Sequence, residues 1–255
     1  MDVIKKNRCF MHCPSFKGMM EESDQQKGVV HPPHSKAVFG DTFVLSYNKD
    51  VCSRDSYTDL LDVRRSERVY TGKALTQAEL AFMLWSAQGI QCFRGDTKVA
   101  TLRPVPSGGA RHPFELYAVV KNVDGMKPGI YRYAPLLNVG EKSVTVEFCG
   151  EIEDYENRIT AMLAGQKWAA NAPVVLFFSC VPYRAEWRYT AAAHRVMLID
   201  LGHAGQNVML SAAALGLGSC CIAAYDQELC DKVFGFDGLD EYVVYAVTIG
   251  EAKNA

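Results

Sequence analysis

Residues 195–221 read RVMLIDLGHAGQNVMLSAAALGLGSCC, and the fold turns on what this stretch forms. Val196, Met197, Leu198, Ile199, Leu201, Val208, Met209 and Leu210 put apolar groups on almost every side of a helix, which is the composition of a buried one. Asp200, His203, Gln206 and Asn207 interrupt the run well before the ~20 apolar residues that a bilayer requires, so the helix is not a membrane span. Helical spacing gathers Asp200, His203, Asn207 and Ser211 on one stripe and sets Leu198, Gly202, Gly205 and Met209 on the opposite side. An interior glycine costs about 1 kcal/mol against alanine, so Gly202 and Gly205 predict close approach of another backbone, most simply a neighbouring helix of this chain or of a second subunit. Gly216 and Gly218 then end the helix and free backbone N–H groups.

Working outward, residues 173–178 (PVVLFF) and 242–249 (YVVYAVTI) are unbroken apolar runs of strand length, the pattern of strands covered on both faces. Residues 219–223 form a short strand and 227–234 a short helix between them and the central helix. Thr76 and Glu79 make a capping-box pattern, and Leu80, Met83, Leu84 and Ala87 continue it as an amphipathic helix up to Gly89. A shorter helix over residues 56–63 has Ser56 as its N-cap. Residues 114–120 and 130–133 form an antiparallel meander across the turn signals of residues 124–129, residues 143–148 add a strand, and residues 154–170 are helical. The order predicts an α+β fold: a mixed central sheet flanked by helices, with the long helix buried at its centre. Residues 1–55 are polar, with strand character only at 42–45, and form an extended N-terminal segment, either a tail or an arm laid over a partner subunit. Residues 56–255 form one domain.

The chain has 255 residues, 49% hydrophobic and 22% charged, too apolar for disorder, and its net charge of −2 supplies no basic field for nucleic acid. Nine cysteines without regular spacing, and no secretory signal, point to free thiols in a reducing cytoplasm. Cys9, His12 and Cys13, like His31 and His34, lack a second half with ligand spacing, so no metal site is expected. Cys220 and Cys221 fit small apolar filling rather than a redox pair.

Two stretches carry possible chemistry. Arg64, Arg65, Ser66 and Arg68 put three guanidiniums and a hydroxyl within five residues, either a phosphate clamp or a solvated charged turn. Residues 102–113 (LRPVPSGGARHP) form a Pro- and Gly-rich loop ahead of a strand, able to bring its backbone close to a flat ligand, or a turn with no such role.

Together with LTQAELAFMLWSAQGI (residues 75–90) and YVVYAVTIGEA (residues 242–252), the motifs VRRSERVY, LRPVPSGGARHPFELYAV and DLGHAGQNVMLSAAALGLGS resemble the FMN-dependent nitroreductase superfamily. Within it, residues 55–250 resemble the SagB/ThcOx-type oxidoreductase branch. The resemblance implies a nitroreductase-like fold and an intertwined homodimer with FMN at the subunit interface. By motif, Arg64, Arg65, Ser66 and Arg68 would hold the FMN phosphate and ribityl chain. Pro106, Ser107 and Gly108 would pass along the flavin, reaching the cofactor of the other subunit, and Leu217 and Gly218 would lie near the isoalloxazine edge. Lys253 is the basic residue available after the last strand to reach the phosphate.

The implied activity is a two-step flavin cycle, in which NADH, NADPH or another donor gives hydride to the flavin and a small organic acceptor takes the electrons. The branch also includes peptide azoline dehydrogenases that use a Lys-Tyr pair. Arg188 and Tyr189 stand at the similar place here, and arginine cannot act as a base, which leaves Tyr189 as the catalytic candidate beside the alternative of a packed aromatic. From another class, the chain could be a flavin-binding or scaffold subunit without turnover of its own.

Overall fold

The computed structural model describes residues 2–11, 22–47 and 49–253. The two continuous apolar runs lie at the middle of a seven-stranded sheet. Strand β7 (Val174–Cys180) is buried along its whole length and pairs with β4 (Phe114–Val120) on one side and β9 (Tyr242–Gly250) on the other. Helices cover both of its faces, so neither face needs polar residues. The sheet is completed by β1 (Thr42–Ser46), β6 (Ser143–Gly150), β5 (Gly129–Tyr133) and β8 (Gly218–Ile222), in the order β1-β6-β5-β4-β7-β9-β8. The named strands pair antiparallel throughout. The sheet is mixed through the isolated parallel bridges Ser66 to Ser219, at the β8 margin, and Leu75 to Val123. A separate two-stranded hairpin joins β2 (Cys92–Arg94) and β3 (Ala100–Leu102).

One face of the sheet is covered by α3 (Gln77–Gln88) and the long α6 (Ala193–Ala214). The capping box at the start of α3 is complete: Glu79 N donates to Thr76 Oγ1 at 3.2 Å and Thr76 N to Glu79 Oε2 at 2.7 Å. Leu80, Leu84, Leu116, Phe178, Val208 and Val247 meet in this layer. Each such side chain contributes about 1.5–3 kcal/mol relative to exposure. On the other face α4 (Tyr155–Met162) and α7 (Gln227–Phe234) close a second core around Ile159, Met162, Val175, Phe177 and Cys230.

Two expectations need correction. The helix expected over residues 154–170 stops at Met162, because Ala164 and Gly165 take left-handed φ of 53° and 82° and the Gly165 amide bonds back to Thr160 O at 2.8 Å; a short 3-10 turn, Lys167–Asn171, follows. The long helix is not buried all round: Leu198 and Ile199 are each 54% exposed on the single chain. Its two interior glycines also differ from each other. A Cβ at Gly205 would lie 2.7 Å from Cε1 of Tyr245, so a ring and not a backbone demands glycine there, whereas Gly202 has nothing within 4 Å.

The N-terminal segment contains a helix, α1 (Val3–Met11), and supplies edge strand β1. Residues 22–47 run across a belt of buried charge. Ser35 Oγ and Lys36 N donate to Glu115 at 3.0 and 2.7 Å, and the amides of Phe39 and Gly40 both reach Glu147 Oε1 at 2.7 Å. Arg132 and Arg184 complete the belt by ion pairs with Glu147 and Glu115, each at 2.5 Å. Backbone amides and opposite charges thus satisfy carboxylates that burial alone would penalise. Among the described residues, no helix is long and apolar enough to cross a membrane.

Candidate active site

Helix α6 ends where Gly216 takes a left-handed φ of 75° and the Leu217 amide returns to Ala212 O at 2.8 Å. The last carbonyls of the helix are then taken by the preceding part of the chain. Ser53 N and Arg54 N donate to Ala214 O at 2.8 and 3.0 Å, and Arg54 Nη1 reaches Ala213 O at 3.1 Å, a cation set on the negative end of the helix. Helix α2 (Tyr57–Val63), whose N-cap Ser56 accepts the Asp59 amide at 3.4 Å, leads the chain back across this end. Its continuation docks on β8, where Glu67 N donates to Ser219 O at 2.9 Å. The approach is close enough that a Cβ at Gly218 would lie 2.8 Å from Cβ of Glu67.

The result is an open cleft. Arg54, Arg64 and Arg65 line one side, Val63, Met209, Ala213 and Leu217 give it an apolar wall, and Glu67 is its acidic member. No ion pair among the described residues involves any of these three arginines. A cationic mouth beside an apolar wall suits a flat ligand with an anionic tail.

Of the residues singled out by motif, Arg64, Arg65, Leu217 and Gly218 meet in this cleft. Ser66 sits at its edge through the bridge to Ser219. Arg68 turns away: its guanidinium lies over the Trp168 ring at 5.7 Å and bonds Ser66 O at 3.4 Å. Lys253 donates its amide to Val69 O at 3.0 Å, and its neighbour Ala252, not Lys253 itself, lines the cleft.

Pro106, Ser107 and Gly108 are elsewhere, against the other end of α6. Ser107 Oγ donates to Asp200 Oδ2 at 2.7 Å and Gly108 N to the same oxygen at 3.0 Å. A Cβ on Gly108 would fall 2.3 Å from Cγ1 of Val196, so the loop lies flat on the helix. Burial pushes the Asp200 carboxyl up from its ordinary value, and the Ser107 and Gly108 hydrogen bonds oppose this. Beside the loop, burial and the Arg103 charge hold the His112 imidazole down at about 2, so it is neutral. Tyr189, the last residue of α5 (Tyr183–Tyr189), has its hydroxyl 2.7 Å from where a Cβ of Gly109 would stand. From Asp200 to Ala213 is thirteen steps of one helix, roughly 20 Å at 1.5 Å per residue. The loop of residues 106–108 and the cationic cleft therefore lie well apart along α6.

Two features escaped the sequence motifs. Arg54 lies in the polar lead-in and carries no local signal. The stripe of Asp200, His203, Asn207 and Ser211 divides its work: Asp200 holds the loop, Asn207 Nδ2 donates to Ser86 O of α3 at 3.0 Å, Ser211 is buried and His203 is exposed. Among the described residues, no group of three or more His, Cys, Asp or Glu side chains is placed to hold a metal ion; His12 and Cys13 lie outside them.

An antiparallel-paired sheet between helical layers, with a cationic cleft where its long helix ends, defines an α+β sandwich protein. Residues 61–251 match the Nitroreductase family, and the chain belongs to that family. It is 35% identical over 172 residues to an assigned nitroreductase of Methanocaldococcus jannaschii, covering 67% of this chain and 80% of that protein. It is 23% identical over 201 residues to the microcin B17-processing protein McbC of Escherichia coli, covering 74% and 71%, which supports the SagB-like branch. The crystal structure of an assigned nitroreductase from Anabaena variabilis superimposes with a TM-score of 0.58 at 25% identity, over 86% of this chain. The matched part is 45% of that protein, so the chain spans less than half its length.

Proposed function

We propose that the chain is an FMN-dependent oxidoreductase that works as a homodimer, taking hydride from NADH, NADPH or another donor and passing it to a small organic acceptor. The observation that carries this is the separation of the 106–108 loop from the cleft along α6, with an exposed apolar surface between them. Leu198, Ile199 and Gly202 are exposed on that helix, and a partner helix packed there in antiparallel two-fold fashion would bring each copy's residues 106–108 to the other's cleft. The absence of a side chain at Gly202 permits close approach of the two helices.

The residues present fit FMN. Arg54, Arg64 and Arg65, unpaired with carboxylates, suit the phosphate, and Met209, Ala213 and Leu217 suit the ring. When bound there, the flavin supplies the hydride acceptor and donor of the cycle. The guanidiniums would grip its anionic end, the apolar wall would exclude water from one face, and Asp200 fixes the loop that would cover the partner's cofactor. Tyr189, whose hydroxyl lies beside Gly109, is the proton-handling candidate next to that loop. The free thiols of Cys52, Cys92, Cys149, Cys180, Cys220, Cys221 and Cys230 agree with a reducing cytoplasm.

A second function, azoline oxidation on a peptide, is favoured by the likeness to McbC and disfavoured by Arg188, which cannot act as a base. Purified protein tests the proposal directly. Yellow protein bleached by NADH or NADPH is expected. Yellow protein that no donor bleaches would make the chain a flavin binder without turnover, and colourless protein that takes up no FMN would make it a scaffold subunit.

A further inference from the structure

Two guanidiniums converge on Gly109, and neither has a carboxylate partner. Arg111 is 4% exposed, donates through Nε to Gly109 O at 3.1 Å and lies over the Trp187 ring at 5.0 Å. Arg188 is half-buried over the Tyr189 ring at 5.6 Å, and its Cδ and Nε would be 2.7 and 2.8 Å from a Cβ placed on Gly109. No ion pair among the described residues includes either arginine. The acids on neighbouring elements are committed elsewhere: Glu186 faces His194 at 2.7 Å, and Asp200 serves Ser107 and Gly108. Burial and the adjacent Arg188 charge hold the Arg111 guanidinium below its ordinary value. Like charges packed side by side at low solvent exposure cost energy; carbonyls (Gly109 O and Val99 O) and the Trp187 and Tyr189 rings offset part of it, and among the described residues no carboxylate does.

Backbone strain collects at the same spot. Gly109, Ala110, His112 and Thr190 all take left-handed φ, at 58°, 53°, 44° and 47°. Each non-glycine among them costs on the order of 1–3 kcal/mol, which packing elsewhere has to hold in place. Two neighbouring guanidiniums without a carboxylate partner beside one loop leave room in the electrostatics for an anionic ligand.

We infer that Arg188, backed by Arg111, binds an oxyanion of the compound that meets the flavin, so that the chain selects carboxylate- or phosphate-bearing substrates. This rests on the proposal that residues 106–108 cover the flavin of the paired subunit. Arg188 is the contacting member, since its planar fork is half-exposed and held flat by Tyr189; Arg111, behind Gly109, adds its field. The acceptor's carboxylate and the donor's diphosphate share this chemistry.

The test is binding to the purified protein supplied with FMN, measured by titration calorimetry for wild type, Arg188→Gln and Arg188→Lys. The probes are 4-nitrobenzoate, its neutral counterpart 4-nitrobenzamide, and the oxidised dinucleotides NAD+ and NADP+, which carry the same diphosphate without reducing the flavin. Loss of a charge-assisted contact is expected to weaken at least one anionic probe by about ten- to a hundredfold in Arg188→Gln, with partial retention in Arg188→Lys and unchanged binding of the amide. Loss for nitrobenzoate alone puts the oxyanion on the acceptor; loss for the two dinucleotides alone puts it on the donor. Equal effects on the amide and on every anion, or no effect on any of them, overturn the inference. Failure of the flavin proposal is read separately, as colourless protein in the wild type, and the acid-against-amide comparison can still be made on that protein.

Discussion

Ser107 Oγ donates to Asp200 Oδ2 at 2.7 Å, so a carboxylate from the first half of α6 holds the loop that leads into β4. The same oxygen takes the Gly108 amide, which leaves two part-buried donors dependent on one side chain. Asp200→Ala should cost about 1–3 kcal/mol, a fall in melting temperature of roughly 2–4 °C for each kcal/mol. Asp200→Asn should restore much of the loss, because its amide oxygen can take the Oδ2 position and accept both donors. Calorimetry of the two variants decides; an Asp200→Asn melting temperature as low as that of Asp200→Ala would show that both carboxylate oxygens are needed.

The cleft arginines and Arg68 make opposite forecasts. Replacing Arg64 and Arg65 together by Ala should weaken FMN tenfold or more while the fold survives, since exposed charges contribute little to stability. Arg68→Ala should leave flavin content at the wild-type level, because that guanidinium lies over Trp168. Flavin absorbance after gel filtration reads both. Yellow double variant with colourless Arg68→Ala would reverse the assignment.

His112 gives the stability a slope in acid. Its folded-state value, held down at about 2, is below the ordinary 6.5, so below pH 6.5 the unfolded chain binds the extra proton and the folded chain does not. The His112 contribution is therefore intact above that pH and declines steadily on acidification, by about 2 kcal/mol between pH 6.5 and 5. His112→Asn removes the titration and tolerates the left-handed φ of 44°. Urea unfolding at the two pH values should show the slope flattened by that amount, and an identical slope in both proteins would exclude His112 as its source.

Gly205 is held to glycine by Tyr245. Adding one methyl group to this site puts it 2.7 Å from the ring, so Gly205→Ala should destabilise by about 1–3 kcal/mol despite the better helix propensity of alanine. Gly202→Ala meets nothing on the single chain. If the helices pair as proposed, it should weaken self-association and leave unfolding of the dilute chain untouched, which sedimentation and denaturation measure separately.

Leu198→Glu together with Ile199→Glu should give a monomer that binds FMN poorly, since the loop that would close each cleft belongs to the other copy. Gel filtration with light scattering is the measurement. A dimer in the double variant would move the interface elsewhere.

What could be seen in the sequence was local. The capping box at Thr76, the Ser56 cap, the end of α6 at Gly216 and the two buried strands each depend on residues a few positions apart. Their continuous apolar runs did not reveal pairing direction, because antiparallel strands roofed by helices on both faces show no alternation either. The break at Ala164 and Gly165 was hidden by periodicity that carried on past it. In the site, Arg64 and Arg65 stood out as a cluster, but Arg68 belongs to the same cluster and its direction is set by Trp168, one hundred positions later. Arg54 was silent for the same reason, since its role is defined by carbonyls at the far end of α6.

The charged belt also sets the order in which the molecule can assemble. Lys36 meets Glu241 across 205 positions, and Ser35 and Lys36 meet Glu115 across 80 and 79, so residues 22–47 cannot complete their seat until segments 79 to 205 positions further on are in place. Such distant contacts slow folding. Until they form, Glu115 and Glu147 lack their amide donors and the edge of β6 stands open, a nascent state that invites chaperone capture or sticking between copies.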